Sequence, residues 1–236
     1  MTITAWLRWD VIEHLLPARA SRVLDIGAGM GTIGSMLARR YDYVGVEPDP
    51  VSFLAAQRRV GERGTVLNCG FEDLCAAEEY DLVCAFEVLE HIDDDGSALA
   101  SWVEHLRPGG TLLLSVPKGS RRYGRANARV GDLRRYDEPG LQAMLHKVGL
   151  TNVTAKAYGS PYGNIQEAVL NVALRRDIDD ASMGERTSAS ARSMQPPTVL
   201  SYGVAAVALP LRLVQRPFTR FGVGTGLVCR AEKTSP

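Results

Sequence analysis

The stretch Val23-Leu24-Asp25-Ile26-Gly27-Ala28-Gly29-Met30-Gly31-Thr32-Ile33-Gly34 constrains the fold more than any other part of the chain. An apolar run suited to a buried parallel strand ends at Asp25 and Ile26. It then passes through closely spaced glycines and opens into the helical spacing Ile33, Met36, Leu37. Strand, tight turn and helix in this order bring backbone close to a ligand, and a Cβ in the turn would obstruct either the required dihedrals or the ligand itself. Gly29, Gly31 and Gly34 also spell a dinucleotide fingerprint, which makes an NAD-dependent oxidoreductase one candidate. Asp25 argues against it. A carboxylate at the strand end would face the like charge of a pyrophosphate, whereas it could accept hydrogen bonds from an ammonium group.

A second apolar run, Tyr43-Val44-Gly45-Val46, leads to Glu47, sixteen residues beyond Gly31. In a doubly wound sheet this acid stands at the tip of the second strand, beside the glycine turn, where it can accept both hydroxyls of a ribose. Two acids then divide one ligand, Glu47 holding a ribose and Asp25 lying towards a cationic group. That describes S-adenosylmethionine better than a nicotinamide cofactor.

Val23 to Gly31, Val46-Glu47-Pro48-Asp49, Tyr80 to His91 (with Phe86-Glu87-Val88-Leu89-Glu90-His91 at its end) and Leu106-Arg107-Pro108-Gly109-Gly110-Thr111-Leu112 together resemble the class I S-adenosylmethionine-dependent methyltransferases. The resemblance runs in the family's order from about Arg22 to Pro117. It implies an α/β, Rossmann-like, doubly wound seven-stranded sheet, mostly parallel, with an antiparallel C-terminal strand, and S-adenosylmethionine as cofactor. Carried over residue by residue, it implies cofactor contacts from Asp25, Gly27, Gly29, Gly31, Glu47, Pro48, Phe71 and Glu87. One departure lies in Leu67-Asn68-Cys69-Gly70-Phe71-Glu72-Asp73, where Gly70 stands at the position of an acid that many relatives use for the adenine amino group. Adenine contact then falls to the Phe71 amide or a neighbouring side chain. The look-alikes include methylases of quinone precursors, lipids and natural products, so the motifs imply a small-molecule acceptor without naming it.

The remaining chain fits one methyltransferase domain over 1–236. Trp6, Trp9, Ile12, Leu15 and Leu16 recur at helical spacing before Pro17, a leader helix that by resemblance crosses the mouth of the cofactor site. Its tryptophans either dock on the sheet or stack on substrate. Helices are expected from the glycine turn to about Arg40, from Pro50 to Val60, around Leu99 to Leu106, from about Glu138, and from Ile165 to Leu174. Strands are expected at Thr65 to Cys69, Leu82 to Ala85, Thr111 to Val116, Asn152 to Tyr158 and Gly226 to Ala231. Ligands of such sheets bind beyond the carboxyl ends of the strands. Segment 177–197, rich in Asp, Ser, Ala, Arg and Pro, reads as a mobile loop or lid. The apolar run Val199 to Leu213 is interrupted by Pro210 and Arg212 and is too short to span a bilayer. It reads as a core helix, a homodimer face or a pocket wall, with loose membrane contact as a lesser option.

A formal charge of zero gives no general attraction to nucleic acid, and no nucleic-acid partner is expected. Cys69, Cys75, Cys84 and Cys229 lack metal-ligand spacing and fit free thiols in a reducing, cytoplasmic compartment. No signal peptide is evident at the N-terminus, and no metal is expected. Positive charge concentrates locally in 118–136, a basic substrate-side insertion following the fifth strand. It is either a solvated face or a site for a carboxylate or phosphate, with Arg121, Arg122, Arg134, Arg135 and Tyr136 as substrate-binding candidates. His91 follows the fourth strand, where relatives place a side chain near the acceptor, and is the candidate catalytic base for an acceptor hydroxyl; a carboxylate acceptor would need none. The overall expectation is methyl transfer to oxygen of a small, partly apolar, anionic or neutral molecule. A cofactor-binding protein without catalysis is the alternative from another class.

Overall fold

The computed structural model describes residues 1–74, 78–119, 132–173 and 198–234. Cys75, Arg121, Arg122 and the 177–197 segment lie outside the described residues. The chain runs α1 (Ile3–Leu15), β1 (Arg22–Ile26), α2 (Gly34–Leu37), β2 (Asp42–Val46), α3 (Pro50–Val60), β3 (Gly64–Leu67), β4 (Tyr80–Phe86), α4 (Asp95–Glu104), β5 (Leu106–Pro117), α5 (Glu138–Lys147), β6 (Leu150–Tyr158), α6 (Tyr162–Ala173), α7 (Thr198–Arg220) and β7 (Gly226–Lys233). The seven strands form one sheet in the order β3-β2-β1-β4-β5-β7-β6. β7 is antiparallel to both its neighbours, and the other pairings are parallel. The sheet is therefore the expected mostly parallel one.

Alternation along the buried strands sorts side chains to two layers. Leu24, Ile26, Val83, Ala85, Leu112 and Leu114 face Leu99, Trp102 and Val103 of α4 and Leu141 and Leu145 of α5. Val23, Leu82, Cys84 and Leu113 face Trp9, Ile12 and Leu15 of α1, Leu37 of α2, and Ala56 and Val60 of α3. Helix starts follow local chemistry. The Thr2 hydroxyl accepts from the Ala5 amide at 3.1 Å, and Asp49 accepts from the Ser52 amide at 2.9 Å just before Pro50. Both satisfy amide groups that lack an intrahelical partner.

Three boundaries differ from expectation. α2 stops at Leu37 rather than Arg40, because residues 38–40 are turn. β5 begins at Leu106, which pairs with Tyr80 across a register shift, so Pro108-Gly109-Gly110 lies inside the strand as an irregularity and α4 has already ended at Glu104. α7 continues through Pro210 and Pro217 to Arg220, well past the apolar run. It lies along α1, where Arg212 Nε donates to Asp10 at 2.7 Å and the buried Gln215 donates to the Leu7 carbonyl at 3.0 Å. Among the described residues no helix is long and apolar enough to cross a membrane.

The strand order reverses between β1 and β4, and this opens a crevice at their carboxyl ends. Glu47, Glu87 and the glycine turn all stand at that edge.

Candidate active site

Gly27, Gly29 and Gly31 all adopt positive φ, at 69°, 54° and 72°. A Cβ on Gly27 would lie 2.6 Å from Val88 Cγ2, and one on Gly31 would lie 2.6 Å from Ala56 Cα. Packing therefore excludes side chains at both. A Cβ on Gly29 would meet nothing within 4 Å, so its left-handed backbone borders open space, a cradle in which a ligand group can approach the main chain.

Glu47 ties this turn to the end of β2. Its Oε2 accepts from the Gly29 amide at 2.7 Å and its Oε1 from the Asp49 amide at 2.9 Å. An ionised carboxylate offers about four lone-pair positions, so roughly two remain for ligand hydroxyls. Burial raises the Glu47 pKa, against the lowering effect of those two amides. The Asn68 side chain donates to the Glu47 and Pro48 carbonyls at 2.9 and 3.1 Å, holding exposed Pro48 at the rim.

Asp25 sits beneath the turn, 2% exposed, and accepts the Tyr43 hydroxyl at 2.8 Å. Gly45 makes this contact possible, since a Cβ there would come 2.5 Å from the Tyr43 hydroxyl; Gly34, the last fingerprint glycine, clears the same oxygen. Burial pushes the Asp25 pKa up to about 7, with the Tyr43 hydrogen bond opposing and the Glu47 charge reinforcing. A carboxyl so poised gains most from a nearby cation.

Phe71 opens a short turn, Phe71–Asp73, and its ring packs edge-on against Trp102 at 5.8 Å. Its side chain is thus committed to the core, and only its backbone is left for the adenine role. Asp73 Oδ2 accepts from the Gly70 amide at 3.1 Å and so returns a carboxylate to the position where the sequence has lost one. Sequence reasoning missed Asp73 because it counted positions rather than the turn.

Glu87 has φ 58°, a left-handed conformation that costs a non-glycine residue ~1–2 kcal/mol. Its Oε1 collects Ser115 Oγ at 2.8 Å, the Tyr158 hydroxyl at 3.0 Å and Arg8 Nη1 at 3.3 Å. Arg8 thus reaches from α1 to the end of β4, and the leader helix does border the site. Its Nε is buried without a partner. Trp6 and Trp9 pack with the α1 side of the core. Arg8 was not singled out from the sequence, yet it lies four residues before buried Ile12 and seven before Leu15, and a charge on such an apolar stripe was the available signal.

His91 closes the turn Leu89–His91, partly exposed, with Nδ1 3.9 Å from Asp132 Oδ1. Glu90 beside it is 1% exposed, and Asp132 is 6% exposed. The substrate-side candidates lie elsewhere in character. Arg134 donates to the Asp93 carbonyl at 2.8 Å and pairs with Asp95 at 2.9 Å. Arg135, buried, pairs with Glu167 and donates to the Thr225 carbonyl at 3.0 Å. The Tyr136 hydroxyl donates to Asp95 at 3.0 Å, and burial with that neighbouring charge raises its pKa. These contacts tie the segment after β5 to α4, α6 and β7, against the expectation that the three residues point at substrate. The Lys118–Tyr136 bridge holds the segment's ends together.

Residues 7–155 match the family model of the methyltransferase domain. The chain belongs to that family. Among curated members, this methyltransferase-family chain is 38% identical over 109 residues to a ubiquinone biosynthesis O-methyltransferase of Azorhizobium caulinodans, a match covering 44% of this chain and 43% of that protein. A namesake from Cereibacter sphaeroides is 36% identical over 106 residues, covering 43% of each. The chain thus matches less than half the length of these relatives. Among solved structures, the 1,6-didemethyltoxoflavin-N1-methyltransferase of Burkholderia thailandensis superposes with TM-score 0.60 at 20% identity, covering 98% of this chain and 80% of that one. A (4+2)-cyclase superposes with TM-score 0.63 at 18% identity, covering 98% and 82%. One fold thus carries unlike chemistries, and the family's chemistry has to be argued from the site.

Proposed function

We propose that the protein transfers a methyl group from S-adenosylmethionine to an oxygen, hydroxyl or carboxylate, of a small and partly apolar molecule. The observation that carries the reading is Glu47, which bridges the Gly29 turn and the β2 exit and keeps acceptor positions for a ribose diol. The donor brings a methyl group on positively charged sulfur, so alignment and exclusion of water supply much of the acceleration. Glu47 orients the ribose. The Gly29 backbone lets the ligand approach, Asp25 and Glu87 face its ammonium end, and the Phe71 backbone with Asp73 meets the adenine. Arg8 holds Glu87 in place and lowers the local cost of gathering acids.

Oxygen as acceptor is supported by the relatives named as O-methyltransferases. A hydroxyl must lose its proton as it attacks, and His91 takes it, standing at the β4 exit with Asp132 behind Nδ1. The new bond forms between oxygen and methyl carbon, the carbon–sulfur bond breaks with its electrons moving to sulfur, and the proton ends on imidazole. An anionic group on the acceptor would meet Arg121 and Arg122 rather than the structurally committed Arg134, Arg135 and Tyr136.

Calorimetric titration with S-adenosylhomocysteine and with NAD tests the cofactor, and incubation with labelled methyl donor and a metabolite extract tests the transfer. Binding of the homocysteine without any labelled product would favour a non-catalytic protein, and preferential NAD binding would overturn the assignment. Once an acceptor is found, His91→Asn should lower turnover by about 10² or more and leave donor affinity within about threefold.

A further inference from the structure

The β4 exit holds a second constellation that the methyl donor does not use. Glu90, His91 and Asp132 each present one ligand atom, and these atoms lie within 4.8 Å of one another. Glu90 Oε2 is buried and has no hydrogen-bond partner. That is an unusual condition for a carboxylate this deep, because a buried acceptor normally finds a donor. The backbone brings the three together. Leu133 donates its amide to the Glu90 carbonyl at 2.8 Å, fixing Asp132 over the turn that carries Glu90 and His91.

We propose that Glu90, His91 and Asp132 bind a divalent metal cation beside the site of methyl transfer. Two carboxylates and an imidazole are hard oxygen ligands with one borderline nitrogen, a set suited to Mn2+, Zn2+ or Fe2+ rather than to a soft monovalent ion. Bonds of about 2.1 Å span ligand atoms up to roughly 4.2 Å apart, so the 3.9 Å between His91 and Asp132 already fits and the remainder closes by a side-chain adjustment. Burial and the adjacent Glu87 charge hold the Glu90 pKa well above the carboxylate range, so in the absence of a cation a proton neutralises it, and a cation would displace that proton.

The ligand set stands on geometry alone, and the role of the ion rests on the methyl-transfer reading. Three protein ligands leave coordination positions open, and a hydroxyl held there loses its proton more readily. An acceptor carrying a hydroxyl beside a second oxygen would fill two of those positions. His91 is then a ligand, and direct proton transfer to it is the slower route left to the cation-free chain.

The test titrates MnCl2 into the EDTA-treated full chain, reading free Mn2+ by its electron paramagnetic resonance signal, and measures S-adenosylhomocysteine binding on the same samples by calorimetry. One ion per chain is expected, weakened at least about tenfold in Glu90→Gln and in Asp132→Asn, while homocysteine affinity stays within about threefold. Absence of saturable Mn2+ binding overturns the cation site and leaves the methyltransferase reading intact if the homocysteine still binds; failure of the homocysteine to bind overturns that reading instead, and the Mn2+ arm decides the cation site either way. Undiminished Mn2+ binding in both variants, with unchanged melting temperature, would place the ion elsewhere and also overturn the proposal. Should Glu90→Gln fail to fold, Asp132→Asn decides.

Discussion

Replacing Asp25 by asparagine should change how stability depends on pH, and the structure fixes both sign and size. The folded chain holds the Asp25 carboxyl at about 7 against an ordinary 3.8, because it is buried beneath the glycine turn with only the Tyr43 hydroxyl opposing that shift at short range. Folded protein therefore binds this proton more tightly than unfolded protein. The contribution is fully present below about pH 4, falls as pH rises, and is gone above about pH 7. The displacement corresponds to roughly 4 kcal/mol, of which about 2 to 3 lie between pH 5 and pH 8.

The asparagine amide keeps an oxygen for Tyr43 but cannot ionise. Its own cost in burying an NH2 group is the same at every pH, so the informative quantity is the gap between Asp25→Asn and wild type. That gap should move in the variant's favour by about 2 to 3 kcal/mol from pH 5 to pH 8. Urea denaturation followed by fluorescence of Trp6, Trp9 and Trp102 measures it, and titrations of groups far from Asp25 cancel in the difference. A gap that stays constant across this range would refute the buried, proton-holding carboxyl. If an ammonium group of the donor lies beside Asp25, donor affinity in wild type should also rise as pH increases through 7, and this rise should be absent in the variant.

Glu47→Ala should weaken S-adenosylhomocysteine binding by about 1.5 to 3 kcal/mol in calorimetry, since it deletes a charged acceptor. Gly29→Val should abolish that binding, because a branched residue is strained at φ 54° and fills the open side of the turn; unchanged affinity in either variant would remove the ribose site from this edge. Arg8→Met should lower the melting temperature and donor affinity together, by leaving Glu87 with only hydroxyl donors at Ser115 and Tyr158; a loss of stability with donor affinity unchanged would make Arg8 a packing residue alone.

The sheet was legible because each strand and helix writes its own period. Helix α3 was read with both ends correct because Pro50 opens it and Gly61 follows it, and strand β2 because the apolar run ends at a charge. Errors occurred where one local signal has two outcomes. Pro108-Gly109-Gly110 reads as the end of a helix, but it lies within β5 because Leu106 already pairs with Tyr80 across the β4 edge. Likewise Pro210 and Pro217 read as breaks, yet α7 continues through them alongside α1, where Arg212 and Gln215 find partners on Asp10 and Leu7.

The site was legible only where its residues are consecutive. Glu47 follows its strand directly and its partner Gly29 follows another, so strand order alone brings them together. Glu87 is held instead by Arg8, Ser115 and Tyr158, contacts between residues separated by 79, 28 and 71 positions, which no spacing rule encodes. The same holds for the arginine-rich segment. Arg134 and Arg135 stood out as charge in a neutral chain, yet what makes them structural is the placement of Asp95 and Glu167, acids whose positions depend on how α4 and α6 pack. Asp132 reverses that case. Within its own segment it is one acid among arginines, and it becomes a candidate ligand only when the Leu133–Glu90 backbone bond sets it over a carboxylate left without a donor. A buried charge is costly wherever it sits, so the chain must answer Glu90 with a proton or with a cation. Which of the two it uses follows from what else converges there, and a histidine with a second buried carboxylate is a poor way to stabilise a proton and a good way to hold a metal.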